Sequence, residues 1–411
     1  MVKNRQDIAR FVLGLISVIF MYSFNLVSSC FILDMSDEFG VSAGIAGLIL
    51  SSSLLCNALA QIPGSAILMR LGTKNFLSRS YFAFAIIALL LVQSKSIVLF
   101  IIGRFLMSAC ISIHFVVYAT LTKKIMPLSM FSRLMILSEG LVMLVEIVFN
   151  YSLASLGIFS WKLIFKGYAV VGMLLSVTSY LIFYYDQFDM KHVKNVQYKS
   201  KQMFQVMHTL LSDRELIGRS ILAASLFMIL PIVYGLWWPT FISVSKGIAF
   251  NQAVMQSQWI AFGIIVGNII FCCVDNKYHD SNDLFIWSNI VSIVSLTMML
   301  YYPTLSNIVM DLLMIVVGIA CSTSVIAFSI LRSRDYPNEL SVGFINTFIV
   351  ISAPLTQVLI TFVMESIYPL WFANTHYHLV QLGLLMCPLI QLLALVFGSL
   401  FISYQRPRLS H

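Results

Sequence analysis

Charged residues are scarce in this 411-residue chain: Asp, Glu, Lys and Arg together make up only 10% of it. A soluble domain carries roughly 25% charged residues, which keep its surface hydrated. Because 59% of the residues are apolar and the mean hydropathy is +0.91, most of the outer surface has to face hydrocarbon. The composition therefore excludes an ordinary soluble protein and predicts an all-α, polytopic membrane protein.

Motifs of familiar enzyme chemistry are also missing from the sequence. It contains no HExxH or GxGxxG sequence and no Walker-type phosphate loop. The seven cysteines lie in or beside apolar runs, and none of them has the spacing of a metal site or a disulfide framework. We therefore expect no enzymatic activity, no metal ion and no cofactor.

Twelve segments are apolar and long enough to cross a bilayer, which takes about 20 helical residues. They are residues 11–33, 42–69, 76–94, 97–120, 133–157, 163–185, 217–243, 252–274, 284–303, 306–331, 341–368 and 378–403. One long polar stretch follows the sixth span. We therefore expect an N-terminal six-helix bundle over residues 1–185, a cytoplasmic linker over 186–216 and a C-terminal six-helix bundle over 217–411.

The placement of lysine and arginine predicts that both termini are cytoplasmic, because cytoplasmic loops retain basic residues. In a twelve-span arrangement, twenty of the 25 lysines and arginines fall on the side of the N-terminus. Only four fall on the opposite side. The formal net charge of +8 then reflects topology and attraction to the lipid bilayer, and no nucleic-acid partner is expected.

The connection between spans 2 and 3 carries a recognisable motif. Gly64 is followed by the sequence Arg70-Leu71-Gly72-Thr73-Lys74. Gly72 permits a tight turn, and the basic residues hold that turn at the anionic leaflet. These residues resemble the signature between helices two and three of the major facilitator superfamily, although Met69 stands where that family usually has Asp.

The second half contains a weaker copy of this motif. Gly263 and Gly267 form a small-residue face for close packing of span 8, and Asp275 and Lys277 follow it. This arrangement resembles the same turn, as the internal repeat of the superfamily implies. The resemblance extends to Arg104 in span 4.

The resemblance implies twelve transmembrane helices in two pseudo-symmetric six-helix bundles, and a secondary transporter that works by alternating access as a monomer. Residues 37–42 and 61–64 are similar to bacterial nutrient-uptake facilitators, including phagosomal amino-acid and nucleoside transporters. That branch implies proton-coupled symport of a small polar metabolite (amino acid, nucleoside or organic acid) across the bacterial inner membrane. The alternatives are efflux of a siderophore or drug, and a receptor that keeps the facilitator fold without transport.

Four charged residues are predicted inside spans, where a charge costs roughly 2.5–3.5 kcal/mol. These candidates for proton coupling are Arg104, Glu139, Glu146 and Asp311. Glu139 and Glu146 are seven residues apart and therefore share one helix face. We expect Arg104 to pair with Glu146 and one carboxylate to titrate during the cycle, the alternative being a static ion pair. Asp311 either lines the outer cavity or reaches water.

Polar and aromatic residues inside the spans are the candidates for substrate contacts, because each must find a hydrogen-bond partner or face water. They are Asn25, Arg104, His114, Tyr118, Tyr234, Asn346 and Gln357. For His114, which shares a helix face with Tyr118, a packing role is the alternative. Tyr234, Trp237 and Trp238 would either gate the cavity or belong to an interfacial aromatic belt.

Overall fold

The structure, a computed structural model, describes residues 5–27, 32–156, 160–184, 200–274, 281–302, 305–332, 334, 336, 338–367 and 376–403. Eleven helices in this part of the chain are long and apolar enough to cross a membrane. The longest, Ala43–Gln93, is broken at Gly72, whose φ of 75° and ψ of 162° are not helical. It therefore supplies two crossings, and the twelve predicted spans are present.

The first bundle contains spans 1 to 6 and a short helix between spans 1 and 2. Span 1 is Arg5–Leu26, the short helix is Ile32–Phe39, and spans 2 and 3 are the two parts of Ala43–Gln93. Span 4 consists of Ile97–Ile111 and His114–Ile125, span 5 is Phe131–Leu156 after a 3-10 turn at Leu128–Met130, and span 6 is Trp161–Ile182.

The second bundle contains spans 7 to 12, preceded by a helix at Ser200–Ser212 within the predicted linker. Span 7 consists of Arg214–Phe227, a π-helical segment at Ile229–Trp237, and Trp238–Lys246. Spans 8 and 9 are Phe250–Cys273 and Asn282–Tyr301. Span 10 is Asn307–Cys321 continued by the 3-10 helix Ser322–Arg332, and span 11 is Asn338–Phe362 continued by the π-helical turn Val363–Ile367. Span 12 is His376–Leu384 with Met386–Ser403.

Span 4 is interrupted between Ile111 and His114, and a side chain of span 2 supports the interruption. Gln61 Nε2 donates to the Ser112 carbonyl and to Asn57 Oδ1, both at 2.7 Å. In hydrocarbon, a backbone carbonyl freed by a helix break needs such an internal donor. Asn57 and Gln61 therefore stabilise the bent span 4 and hold it against span 2.

The two bundles pack against each other along spans 2 and 11 and along spans 5 and 8. At the end that the basic residues predict to be external, called the external end below, Ser42 Oγ donates to Glu365 Oε1 at 2.7 Å. Further along the interface, Thr347 Oγ1 lies 3.4 Å from the Ala58 carbonyl. At the opposite end, predicted to be cytoplasmic and named so below, Gly343 of span 11 packs directly against Ser65 of span 2. In the described residues the bundles are thus joined at both ends of this interface.

The short helix Ile32–Phe39 holds the external end of span 6. Asp34 Oδ2 accepts from the Trp161 backbone N–H at 3.2 Å, and Glu38 Oε2 accepts from Trp161 Nε1 at 2.8 Å. Glu38 also forms an ion pair with Lys162. Partial burial acts to raise the pKa of Glu38, but hydrogen bonds from Lys162 and Trp161 outweigh it and lower the pKa. The carboxylate therefore stays ionised.

Gly318 of span 10 packs directly against the backbone of span 8, and we expect Gly318→Ala to destabilise the protein. A Cβ at this position would collide with the Ile260 carbonyl oxygen and lie 2.8 Å from Gly263 Cα, both backbone atoms of span 8. Overpacking of this kind costs about 1–3 kcal/mol. Thermal unfolding in nanodiscs, followed by tryptophan fluorescence, measures the loss. Gly167→Ala is the control because open space surrounds Gly167, and an equal midpoint for both variants would contradict the prediction.

Candidate functional site

A chain of buried polar side chains crosses from the first bundle to the second at Glu146. Asn150 Nδ2 donates to Glu146 Oε1 at 3.2 Å and also lies 3.2 Å from the hydroxyl of Tyr234 in span 7. Tyr234 in turn donates to Gln258 Oε1 of span 8 at 2.8 Å. Glu146 is fully buried, and its second oxygen, Oε2, has no hydrogen-bond partner among the described residues. Glu146 Oε2 could therefore bind a proton, or accept from a donor that approaches when the helices move.

Glu139 lies on the same face of span 5, closer to the cytoplasm, as its spacing from Glu146 predicts. It is 7% exposed, and its Oε2 has no hydrogen-bond partner in the described part of the chain. The Asn268 amide of span 8 interacts with this carboxyl, although its two polar atoms fall short of hydrogen-bond geometry. Tyr22 of span 1 and Cys321 of span 10 lie within electrostatic range of Glu139. Four spans from both bundles thus meet at this carboxyl.

Arg104 and Glu146 have different partners, so the structure does not show the ion pair expected from the sequence. The Arg104 guanidinium donates to the Leu50 carbonyl and to Ser53 Oγ, both at 3.1 Å. Its Cζ lies 4.8 Å from the centroid of the Phe24 ring and 5.7 Å from that of Phe165. These contacts hold the guanidinium within the first bundle, between spans 1, 2 and 6.

The aromatic residues of span 7 are buried between helices, which excludes the interfacial-belt alternative for them. Tyr234, Trp237 and Trp238 are all at most 2% exposed. Trp237 Nε1 donates to Gln357 Oε1 of span 11 at 2.8 Å, and Gln357 Nε2 donates to Thr361 Oγ1 at 3.1 Å. The π-helical turn of span 7 around Pro231 places these rings inside the protein, because proline removes a backbone donor and locally unwinds the helix.

His114 and Tyr118 are buried inside the first bundle, away from the interface between the bundles. His114 Nε2 lies 3.1 Å from Ser80 Oγ, and its ring packs 4.5 Å from that of Tyr81. The Tyr118 hydroxyl donates to the Leu134 carbonyl at 2.8 Å. This geometry favours a packing role for both residues.

The remaining candidates are spread over the molecule. Asn25 is half-buried and donates to the Met21 carbonyl of its own helix at 2.9 Å, while Asn346 is 2% exposed in span 11. Asp311 lies one turn inside the external end of span 10, where it accepts from Gln256 Nε2 at 3.0 Å. Asp311 also interacts with Lys246, which favours a role at the external surface.

The comparisons with known proteins agree with this architecture. The family model described as Major Facilitator Superfamily matches residues 13–357 of the chain. The chain belongs to the major facilitator superfamily. No match was found among curated protein sequences.

Two solved structures of XylE, one of them given as the E. coli protein, resemble this facilitator over nearly its whole length. One is the xylose transporter in a partially occluded inward-open conformation, with a TM-score of 0.70, 13% identity and coverage of 97% of this chain and 98% of that chain. The other is described as a proton:xylose symporter bound to 6-bromo-6-deoxy-D-glucose, with a TM-score of 0.69, 14% identity and coverage of 96% of both chains. At such identities the likeness shows the fold alone.

The facilitator signature between spans 2 and 3 is built as the sequence predicts. Gly72 has the positive φ that a tight turn requires, and Gly64 packs so closely on Ile113 of span 4 that a Cβ would overlap it. Arg70 is exposed, and Lys74 Nζ lies 4.3 Å from the centroid of the Tyr180 ring. The related pair Asp275 and Lys277 lies outside the described residues.

A short sequence match to an enzyme motif lies at the external end of span 2, where the structure gives it a structural role. Residues 40–44 have the Gly-x-Ser-x-Gly spacing of hydrolase nucleophiles. In the structure Ser42 is the N-cap of span 2: its Oγ accepts from the Ile45 backbone N–H at 3.3 Å and donates to Glu365. The hydroxyl therefore caps the N-terminus of span 2 and links the two bundles.

Three residues of the interface site were not predicted from the sequence: Tyr22, Gln258 and Asn268. The signal for the two amides was available, because each is a polar residue in an apolar span that must satisfy its hydrogen bonds. Their partners could not be read from the sequence: Asn268 interacts with Glu139, more than 100 residues away in the chain, and Gln258 accepts from Tyr234 of span 7.

We expect Tyr234→Phe to destabilise this facilitator, because the hydroxyl links two buried amides, one from each bundle. The change removes the donor to Gln258 Oε1 and the acceptor facing Asn150 Nδ2. Loss of a buried hydrogen-bond partner costs about 1–3 kcal/mol. Thermal unfolding in nanodiscs measures it against Tyr151→Phe, a tyrosine that is 57% exposed one residue beyond Asn150. Unchanged unfolding of Tyr234→Phe would show that these bonds do not hold the bundles together.

Proposed function

We propose that this facilitator is a proton-coupled symporter that takes up a small polar metabolite across the inner membrane of a bacterium by alternating access. Membership of the superfamily and the fold shared with XylE support secondary transport. One of the XylE structures is described as a proton:xylose symporter, which is consistent with proton coupling in this fold.

The observation that carries the proposal is the buried carboxyl of Glu146. One of its oxygens is bonded to Asn150, and through Asn150 and Tyr234 it is linked to span 7 of the other bundle. Its other oxygen has no partner among the described residues. A carboxyl at a moving interface changes its environment when the bundles rock, and a buried charge is costly unless it is paired. Protonation can therefore be coupled to the conformation of the carrier.

Uptake into proteoliposomes tests the proposal directly. Purified protein is reconstituted, and pooled radiolabelled amino acids, nucleosides and organic acids are offered with and without an inward proton gradient. Accumulation of one pool that depends on the gradient is the expected result. If the compound only equilibrates across the membrane, with or without the gradient, proton coupling is contradicted. If a preloaded compound is lost when the gradient is imposed, the protein works in efflux instead.

A further inference from the structure

A second candidate site is formed around Glu139, which lies on the same face of span 5 as Glu146 and is also buried. The polar part of this site consists of the Glu139 carboxyl of span 5 and the Asn268 amide of span 8. A Cβ built on Gly140, the residue after Glu139, would lie 3.6 Å from Asn268 Nδ2, so the amide is packed directly against this part of span 5. The two side chains are 7% and 1% exposed.

The buried hydrogen-bonding groups of this site are incompletely satisfied. Glu139 Oε2, Asn268 Oδ1 and Asn268 Nδ2 all lack a hydrogen-bond partner among the described residues. Buried polar groups are normally paired, and a carboxylate left unpaired is the most costly of them. Two buried acceptors on neighbouring side chains, one of them acidic, therefore lack a donor that a bound solute could supply.

Aromatic rings from four spans form a cluster where the two bundles meet. The Tyr22 ring centroid is 6.4 Å from those of Phe115 and of Phe227, and Phe115 is 5.0 Å from Phe328 of span 10. Spans 1 and 4 of the first bundle thus meet spans 7 and 10 of the second at an aromatic cluster. Tyr22 belongs to this cluster and also lies within electrostatic range of Glu139. Tyr22 therefore brings the cluster near the carboxyl.

Carboxylates and aromatic faces together are the groups that bind organic cations, through charge-assisted hydrogen bonds and cation–π contacts. An anionic solute would need a cationic partner. The buried guanidinium of Arg104 is instead held by Leu50, Ser53 and two phenyl rings of the first bundle.

We propose that the transported solute carries a protonated amine on an apolar or aromatic body, bound between Glu139, Asn268 and the aromatic cluster of Tyr22, Phe115, Phe227 and Phe328. The ammonium donates to Glu139 and to the Asn268 carbonyl oxygen. The organic body separates the rings, which close on one another in this structure. This inference rests on the proposed transport function and names its substrate class.

Binding to the full-length protein in nanodiscs, measured by ligand-induced thermal stabilisation, tests the inference. The probes are tyramine, putrescine and leucine methyl ester, each compared with its N-acetylated counterpart, together with glucose and succinate. N-acetylation removes the positive charge and keeps the body of the molecule. At least one amine is expected to stabilise the protein, and its acetylated counterpart is expected to have no such effect.

Glu139→Gln is expected to weaken binding of that amine by about tenfold to a hundredfold, the effect of removing a buried charged hydrogen bond. Asn268→Leu tests the same site without changing a carboxylate, and it should also weaken binding. Asp37→Asn is the matched control because it removes a negative charge from an exposed position in the external helix Ile32–Phe39.

The outcomes separate the inference from the proposed function. Equal stabilisation by an amine and its acetylated counterpart, or unchanged affinity in both site variants, overturns the inference. Gradient-driven accumulation of glucose or succinate with no binding of any amine also overturns it, while the transport function stands. Absence of both binding and uptake for every probe counts against the inference and the proposed function together.

Discussion

Glu146→Gln is expected to abolish accumulation of the solute while leaving its exchange across the membrane intact. Glutamine keeps the size of the side chain and can still accept from Asn150 Nδ2, which donates to Glu146 Oε1 at 3.2 Å. It cannot bind and release a proton at neutral pH. The carrier would then still alternate between its two open conformations, but this change would no longer be coupled to proton binding.

The size of this effect follows from the proton gradient. One pH unit corresponds to about 1.4 kcal/mol, or roughly a tenfold concentration ratio, for one proton carried with each solute molecule. Wild-type proteoliposomes under that gradient should therefore reach about tenfold accumulation. Glu146→Gln should stop near equal concentrations, and radiolabel counterflow should continue.

Two comparisons make the result specific to Glu146. Asp37→Asn, which removes an exposed external carboxylate, should accumulate the solute as the wild type does. Glu139→Gln should instead lower the affinity for the solute and retain its gradient dependence. If the Glu146→Gln variant accumulates the solute to the same level as the wild type, the prediction that Glu146 couples transport to protons is wrong.

Two glycines lie at the interface of spans 2 and 11, one near each end. Replacing one of them by valine is expected to trap the carrier in one conformation, and replacing the other is expected to trap it in the opposite conformation. Near the external end, a Cβ at Gly47 would lie 3.0 Å from Trp237 Cζ2 and 3.1 Å from Gln357 Nε2. Near the cytoplasmic end, a Cβ at Gly343 would lie 3.2 Å from the Gln61 carbonyl oxygen and press against Ser65. A larger side chain at either position keeps that end of the interface from closing.

Overpacking costs about 1–3 kcal/mol, which shifts a two-state equilibrium by roughly five- to 150-fold. Gly47→Val should favour the externally open state, and Gly343→Val the cytoplasmically open state. Because transport needs both states, each variant should lose most of its uptake.

Hydrogen–deuterium exchange distinguishes the two traps. Gly343→Val should increase exchange at the cytoplasmic ends of spans 2 and 11, and Gly47→Val should increase it at their external ends. Gly167→Val controls for the added bulk, since open space surrounds Gly167. The same change of exchange in both glycine variants would show that spans 2 and 11 do not form opposing gates.

The spans and the shared face of Glu139 and Glu146 could be predicted because each depends on local physics. A bilayer requires long apolar helices, and a seven-residue separation returns to the same side of a helix. The turn at Gly72 was also predictable, since its conformation is set by the absence of a Cβ. Each of these features concerns residues that are close together in the chain.

The partners of the buried polar groups were decided only by the tertiary structure. Arg104 was expected to pair with Glu146, but it donates to Leu50 and Ser53 of span 2. Glu146 is instead linked through Asn150 to Tyr234 of span 7. The sequence by itself determined that this protein crosses the membrane twelve times and carries buried charges. Which faces of distant helices meet depends on the packing of the whole bundle, and that packing assigned each charge its partner.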